Sequence, residues 1–241
     1  MRALTAAELL SLWERGLAQP PARRGVLLLG AAGDFADAER LSIGQRDARL
    51  LELRERLFGS EMTGLAACPS CAEKVELQFQ VSDIRATESA ETPDRFVVNL
   101  EGVETEFRLP NSIDLDRLDA TADVPTNRRL LLESCLLSAR RDGQNVDASE
   151  LPETVVAAVA QRMAEADPQG DVRLELRCPR CAHEWQAPLD IVTFLWAELH
   201  AWALRLLREV HALASAYGWR EADILALSPW RRQAYLDLLG A

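Results

Sequence analysis

The chain has 241 residues, a hydrophobic fraction of 48% and a formal net charge of −11. This length allows one large or two modest folded domains, and the composition is that of a globular protein, which excludes global disorder. The acidic balance argues against sequence-independent binding to nucleic acid or to anionic membranes, because both need a surplus of lysine and arginine.

The start of the chain lacks the apolar core and the small-residue cleavage site of a signal peptide. The longest apolar region, residues 191–214, includes Glu198, Arg205, Arg208 and Glu209, charges that the core of a bilayer excludes. We therefore expect an unexported chain with no membrane span. Its thiols should stay reduced, so paired cysteines are expected to bind metal in preference to forming disulfides.

Helices are predicted before residue 60. A capping-box pattern at Thr5 and Glu8 begins the first helix. A short apolar run over residues 26–29 belongs to the second, and an amphipathic pattern over residues 45–58 predicts the third.

The centre of the chain is predicted to be rich in β-structure. Apolar and polar residues alternate over residues 75–81, which is the period of a half-buried strand. Residues 96–109 predict a β-hairpin with its turn at Glu101-Gly102. Two further strands are expected, over residues 172–176 and around Trp185.

Further helices are predicted over about residues 126–141, 153–166 and 191–217, and a shorter one begins at Ser228-Pro229. The helix over residues 126–141 is expected to end at Asp142-Gly143. Its inward apolar face is predicted to consist of Leu130, Leu131, Cys135, Leu136 and Leu137.

Two Cys-Pro-x-Cys motifs are the most informative feature of the chain: Cys68-Pro-Ser-Cys71, the first hook, and Cys178-Pro-Arg-Cys181, the second hook. Two thiolates at this spacing bind one metal ion from a tight turn, and two such turns complete a tetrahedral shell. Four sulfurs leave no open position for water or substrate, so we predict a structural Zn²⁺ site formed by all four cysteines. An iron ion in a rubredoxin-like shell and an empty reduced site stay open as alternatives.

With the hooks placed, the chain divides into five predicted parts. These are an N-terminal helical part (1–66), a first zinc knuckle with a β-hairpin (67–112), middle helices (113–170), a second zinc knuckle (171–190) and C-terminal helices (191–241). The predicted fold class is α+β, with helix-rich N- and C-terminal parts around a small antiparallel β region with two facing zinc knuckles.

A thiol–disulfide redox site is the competing interpretation of the hooks, because glutaredoxin-type sites also use Cys-Pro-x-Cys. In such sites the pair begins a helix, whose N-terminus lowers the thiol pKa. Each hook here precedes an alternating strand instead, and there are two hooks, so we favour the metal site. His183, close behind the second hook, is expected to lie near the metal without binding it or to be exposed.

No catalytic residue and no organic cofactor site is predicted. The chain contains no phosphate-binding glycine loop, no His-Glu-x-x-His motif and no serine nucleophile elbow. The fifth cysteine, Cys135, lies among leucines and is expected to be a small buried core residue. We therefore do not expect an enzyme.

The predicted helix over residues 191–217 has more apolar residues than one buried face requires. Its second face is either packed inside the protein or free to receive a partner, and protein interfaces favour aromatic side chains. The aromatic residues that we expect to bind a partner are Trp196, Trp202, Trp219, Trp230 and Tyr235.

A family resemblance is carried by the two hooks and by five further segments: residues 41–51, 107–114, 194–198, 217–227 and 231–236. In their order and character these segments resemble the baseplate hub assembly proteins of contractile-tailed phages and of phage-derived contractile injection systems. The resemblance spans most of the chain. Many members of that family lack cysteine pairs, so the zinc prediction depends on this sequence alone.

The resemblance implies a non-enzymatic structural or assembly protein of a contractile-tail baseplate, which binds hub, spike or wedge subunits and has neither nucleic acid nor membrane as a partner. It implies assembly in the bacterial cytoplasm, and leaves open whether the protein then departs or stays in the tail particle. The competing hypothesis is a cytoplasmic zinc-ribbon adaptor in transcription or protein quality control. Basic residues beside the hooks are few, namely Lys74, Arg177 and Arg180, which disfavours nucleic-acid binding.

Overall fold

The computed structural model describes residues 2–33, 37–86, 93–119 and 121–240. The chain forms two compact units. The helical unit combines Met1–Asp34 with Val192–Ala241, and the central unit is Phe35–Ile191. As predicted, the fold is α+β and its sheets are small and antiparallel. Within the described part of the chain, no helix has the length and apolar character needed to cross a membrane.

In chain order, the helices are α1 (Ala6–Gly16), α2 (Pro21–Ala32), α3 (Ile43–Phe58), α4 (Val81–Ile84), α5 (Ser112–Leu115), α6 (Val124–Cys135), α7 (Glu153–Ala166), α8 (Ile191–Tyr217), α9 (Glu221–Leu225) and α10 (Pro229–Leu239). The strands are β1 (Glu61–Ala67), β2 (Lys74–Gln80), β3 (Phe96–Leu100), β4 (Val103–Phe107), β5 (Leu136–Arg141), β6 (Gln144–Asn145), β7 (Arg173–Arg177) and β8 (Glu184–Pro188). They form a four-stranded sheet in the order β3-β4-β5-β6 and two separate ribbons, β1–β2 and β7–β8.

The helical unit begins with the capping box that the sequence predicts. The Glu8 backbone N–H donates to the Thr5 hydroxyl at 3.3 Å, and the Thr5 backbone N–H donates to the Glu8 carboxylate at 2.8 Å. Further along α1, the indole N–H of Trp13 donates to Nδ1 of His200 on α8 at 3.0 Å. A buried indole N–H needs an acceptor, so this hydrogen bond fixes the position of α1 against α8.

Gly16, the last residue of α1, lies directly against the ring of Trp196, which also carries the Arg24 guanidinium 4.7 Å from its centre. A methyl group added at Gly16 overlaps with that ring. We predict that Gly16→Ala lowers the free energy of unfolding by about 2 kcal/mol, because a close-packed core cannot absorb the methyl group without strain. Urea or thermal unfolding measures the loss.

The matched control for this variant is Gly30→Ala, near the end of α2. Nothing lies within 4 Å of a methyl group built at Gly30. Removing a glycine from a helix stabilises it by roughly 0.5–1 kcal/mol, so this variant should unfold at a higher temperature. Equal stabilities of the two variants would contradict the close approach of Gly16 to Trp196.

The long helix predicted over residues 191–217 is confirmed, since α8 spans that range. Four of its leucines are at most 2% exposed: Leu195, Leu199, Leu206 and Leu213. Trp196 belongs to the same buried stripe, at 7% exposure, whereas Trp202 is half-buried. Internal packing therefore accounts for Trp196, one of the two explanations that the sequence leaves open for the aromatic residues of this helix.

In the central unit, α3 is held by buried polar groups as well as by its leucines. The Nε of Arg46 lies 2.7 Å from Oδ1 of Asp47, and a second nitrogen of Arg46 donates to the Ser112 hydroxyl at 3.2 Å. Burial raises the pKa of Asp47 to about 6, while the neighbouring Arg46 guanidinium acts in the opposite direction. The Arg46–Asp47 pair lies within α3, and its burial makes it costly to break. The hydrogen bond from Arg46 to Ser112 is the one that ties α3 to α5.

The four-stranded sheet packs on α6 and α7. The rings of Phe96 and Phe107 stack with their centres 5.7 Å apart, and Leu109, Leu132 and Val159 complete the buried cluster. The hairpin turn predicted at Glu101-Gly102 is confirmed, because β3 pairs with β4 on either side of it. None of the residues in this buried cluster belongs to the ribbons that carry the cysteines, so the sheet has a hydrophobic core of its own.

The helix predicted over residues 126–141 is wrong in its second half. α6 ends at Cys135, and Leu136 begins β5, which pairs with β4. Leu137 is 45% exposed, so it does not lie on an inward helical face, and Leu130 is 38% exposed. Asp142-Gly143, taken as the end of a helix, has φ values of 51° and 80° and turns β5 into β6. Pairing with β4 overrides the helical preference of the leucines.

Candidate metal centre

Each hook is the turn of a two-stranded ribbon. β1 precedes the first hook and β2 follows it, and the two strands pair from Glu61↔Gln80 to Ala67↔Lys74. β7 and β8 flank the second hook in the same way, up to Arg177↔Glu184. Three of these strands are confirmed predictions, and β1 is an addition to them. Each hook therefore lies at the tip of a hydrogen-bonded two-stranded ribbon.

The two hooks share one backbone conformation. The N–H of Ala72 donates to the carbonyl of Cys68 at 2.9 Å, and the N–H of Ala182 donates to that of Cys178 at 3.0 Å. Both alanines have a φ of 57°, in the left-handed region that residues with a side chain rarely adopt. The same uncommon turn in both hooks therefore presents the two cysteines of each pair in the same way.

The hooks bring together the four cysteines that the sequence predicts as ligands. Sγ of Cys68 lies 3.7 Å from Sγ of Cys181, and Sγ of Cys71 lies 3.6 Å from Sγ of Cys178. All four sulfurs lie within 4.8 Å of one another. Zn–S bonds of about 2.3 Å in a tetrahedron place the sulfurs about 3.8 Å apart. The cluster therefore has the size and the donor set of a four-thiolate metal shell.

Hydrogen bonds from the hook backbone act on the thiol pKa values. The backbone of His183 donates to Cys181 and is the largest cause that lowers the pKa of this thiol to about 7. The backbone of Glu73 acts on Cys71 in the same direction, but burial and the neighbouring thiols outweigh it and raise the pKa of Cys71 to about 12. Four thiolates this close repel one another, and a bound cation removes that conflict.

The surroundings of the cluster are polar and exposed on one side. Arg180 of the second hook lies 3.2 Å from the carboxylate of Glu73, beside the first hook. This ion pair is too exposed to contribute much stability. The His183 ring is exposed and stacks on Trp185, with ring centres 6.1 Å apart. Cys135 is outside the cluster; it is fully buried, as predicted, and burial raises its pKa to about 12.

The aromatic residues proposed to bind a partner lie in different settings. Trp219 and Tyr235 contact each other edge-on with ring centres 4.8 Å apart, and Tyr217 stacks on Trp219 at the same distance. Trp230 is 82% exposed. The structure thus forms an aromatic cluster, Tyr217–Trp219–Tyr235, with an exposed tryptophan on the same short helix as Tyr235.

The fold and the cluster together define an α+β protein with a four-cysteine site suited to a structural metal. A family model described as T4 bacteriophage base plate protein matches residues 30–196, more than two thirds of the chain. The chain belongs to this family and is a structural protein of a phage-type baseplate, which confirms the resemblance. No curated protein and no solved structure matches it. The matched residues include both hooks and nearly coincide with the central unit.

Proposed function

We propose that the protein is a non-enzymatic component of a contractile-tail baseplate that binds hub, spike or wedge subunits. The family match over residues 30–196 is the observation that supports this most directly. The cysteine cluster supports a non-enzymatic role, because a shell filled by four sulfurs has no open position for a substrate. The protein joins the baseplate in the bacterial cytoplasm and stays in the tail particle.

We infer that the four hook cysteines, Cys68, Cys71, Cys178 and Cys181, hold a structural Zn²⁺ ion. An all-sulfur, tetrahedral ligand set supports zinc or iron over magnesium, calcium or manganese, which prefer oxygen ligands. Bound there, the ion would cross-link the two hooks and would have no open position for a substrate. The chain itself supplies the orientation of the sulfurs, because each hook is rigidly closed by its backbone hydrogen bonds.

Quantitative mass spectrometry of purified tail particles tests the proposed function. We expect this chain at a fixed ratio to the hub and spike subunits, and no mature particles from a strain that lacks it. A chain found only in assembly intermediates would contradict residence in the particle and identify a transient helper. Its absence from both would contradict the baseplate role.

Trp230→Ala is predicted to weaken incorporation into baseplates more than it weakens folding. Because Trp230 is 82% exposed, its removal should change the free energy of unfolding by less than about 0.5 kcal/mol. An aromatic anchor at an interface is typically worth about 2 kcal/mol or more, so affinity for the partner should fall by about thirtyfold or more. Co-purification of tagged protein with baseplate subunits measures the fall.

Val124→Ala is the matched control for this experiment. Val124 at the start of α6 is 81% exposed, so this variant removes a comparably exposed apolar side chain from the central unit. We expect it to leave co-purification unchanged. Destabilisation by Trp230→Ala without loss of co-purification would assign that ring to folding instead.

A further inference from the structure

β2 has an edge that pairs with no other strand in the described residues. The N–H of Cys68 donates to the carbonyl of Glu73 at 2.9 Å. At the other end of the ribbon, the N–H of Val81 donates to the carbonyl of Ser60, also at 2.9 Å. These bonds make the odd-numbered residues of β2 the hydrogen-bonded partners of β1. The backbone groups that point away from β1 therefore belong to Lys74, Glu76, Gln78 and Gln80.

β7 has an equivalent edge. The N–H of Cys178 donates to the carbonyl of His183, and the N–H of Leu189 donates to that of Val172, both at 2.9 Å. Here the even-numbered residues pair with β8. The N–H and C=O groups that point away from β8 belong to Arg173, Glu175 and Arg177.

The two strands with these edges line one groove of about 640 Å³, formed by residues 76–79 of β2 and residues 172–176 of β7. At one end of both strands lie the cysteine hooks. At the other end, the buried amide of Gln169 accepts from the N–H of Ala86 at 2.6 Å and donates to the carbonyl of Ile84 at 3.1 Å. The groove is thus held at both ends, so its width is set before anything binds.

The lining alternates in character along both strands. Leu77 and Phe79 on β2, and Leu174 and Leu176 on β7, are half-buried. The residues between them are exposed and polar. Successive side chains of a strand point to opposite faces, so the groove has one apolar face and one polar face.

The polar face is negatively charged. Glu76 on β2 and Glu175 on β7 lie on opposite sides of the groove, and neither makes an ion pair with any described residue. The groove's two arginines are already paired, Arg173 with Asp171 at 2.9 Å and Arg85 with a glutamate of α3 at 3.0 Å. Asp83 also lines the groove and accepts only the backbone N–H of Gln80, at 2.8 Å. The charge in the groove that no described cation pairs with is therefore that of three carboxylates, which complements lysine or arginine.

We propose that this groove binds an extended segment of another protein, in which apolar residues alternate with lysine or arginine, by strand addition to the edges of β2 and β7. The backbone of the segment bonds to the two unpaired edges, its apolar side chains cover the leucines, and its basic side chains meet Glu76 and Glu175. A segment that pairs along the full length of β7 needs about five residues, because β7 itself has five. That the segment belongs to another baseplate subunit rests on the proposed function.

A synthetic peptide of about ten residues, with lysine and valine alternating, tests the groove directly on the full-length, metal-loaded protein. We expect fluorescence polarisation to give a dissociation constant of about 10–100 µM. Hydrogen exchange should show new protection at the amides of Glu76, Gln78, Arg173 and Glu175. A peptide with glutamate in place of lysine should bind at least about tenfold more weakly, and so should one with proline in place of valine, which cannot donate to a strand.

Variants of the protein separate the groove from general charge effects. Glu76→Lys and Glu175→Lys should each weaken the lysine–valine peptide by about tenfold. Glu104→Lys makes the same charge change at an exposed position of β4, away from the groove, and should have little effect. Three results would each overturn the proposal. They are no binding at about 1 mM peptide, equal binding of the lysine and glutamate peptides, and new hydrogen-exchange protection at β1 or β8 in place of β2 and β7.

The identity of the partner is tested separately. If Glu76→Lys lowers both peptide binding and incorporation into tail particles, the occupant is a baseplate subunit. If peptide binding falls and incorporation does not, the groove is still a peptide-binding site, but its assignment to a baseplate partner is wrong. Self-association of the protein that the peptide fails to displace would show that a second copy occupies the groove and overturn the proposal.

Discussion

Cys178→Ser is expected to remove the metal from the purified protein and to lower the free energy of unfolding of the central unit by about 3 kcal/mol or more. Cys178 is only 2% exposed and its sulfur lies 3.6 Å from that of Cys71, so serine leaves a buried hydroxyl among three thiols. Binding of structural zinc contributes directly to folding, with apparent values of about 10–16 kcal/mol in small zinc domains. The loss is expected to be smaller here, because the core around Phe107 does not depend on the ribbons.

Elemental analysis and thermal unfolding measure the two effects of this substitution. We expect one zinc ion per wild-type chain and far less than one per variant chain. A strong chelator should lower the stability of the wild type to that of the variant and should have no further effect on the variant. If the analysis finds iron in the wild type, the identity of the proposed metal changes but its four cysteine ligands do not.

Cys135→Ala is the matched control, since it removes a cysteine that is not part of the cluster. It should keep one metal ion per chain, although it costs some stability because Cys135 is fully buried. Full retention of the metal by Cys178→Ser would contradict ligation by four thiolates.

Asp114→Ala is expected to destabilise the central unit by about 3–5 kcal/mol. The side chain of Asp114 is 1% exposed and accepts two hydrogen bonds from Arg108, at 2.6 and 2.8 Å. It also accepts the backbone N–H of Asn111 at 3.0 Å, which caps α5. Alanine leaves the guanidinium of Arg108 without its carboxylate, and breaking one partner of a buried pair is costly for this reason.

Arg95→Ala provides the comparison for this buried pair. Arg95 lies 3.0 Å from Glu106, but its side chain is 69% exposed, so the variant should lose less than about 1 kcal/mol. Urea unfolding measures both variants. A loss for Arg95→Ala as large as that for Asp114→Ala would show that burial does not decide the strength of these pairs.

The cysteine cluster was accessible to sequence analysis because the information that specifies each half of it is local. Two cysteines three residues apart fix the geometry of each half-site, and the proline and the following strand fix the turn. Whether the two hooks face each other depends on residues that are far apart in sequence. We could infer this arrangement from the sequence only because a tetrahedral metal site requires four ligands.

The elements that sequence analysis missed depend on long-range pairing. β1 contains Gly64, Ala66 and Ala67, residues with little preference for strands, and it is extended because it pairs with β2. Leu136–Arg141 has a helical composition but pairs with β4. The unpaired edges of β2 and β7 were likewise out of reach, because the pattern of alternation does not say which strands become neighbours. The five-part division of the chain stays a prediction.

Because each hook supplies only two of the four sulfurs, the order of synthesis limits when the site can close. Cys181 follows Cys68 by 113 residues, which a bacterial ribosome adds in roughly 6–23 s. Until then the first pair of thiols can hold a cation only weakly. Binding of the proposed metal ion is therefore a late event in the life of the nascent chain. A chain truncated before the second hook has a central unit without the metal cross-link, which proteases can degrade.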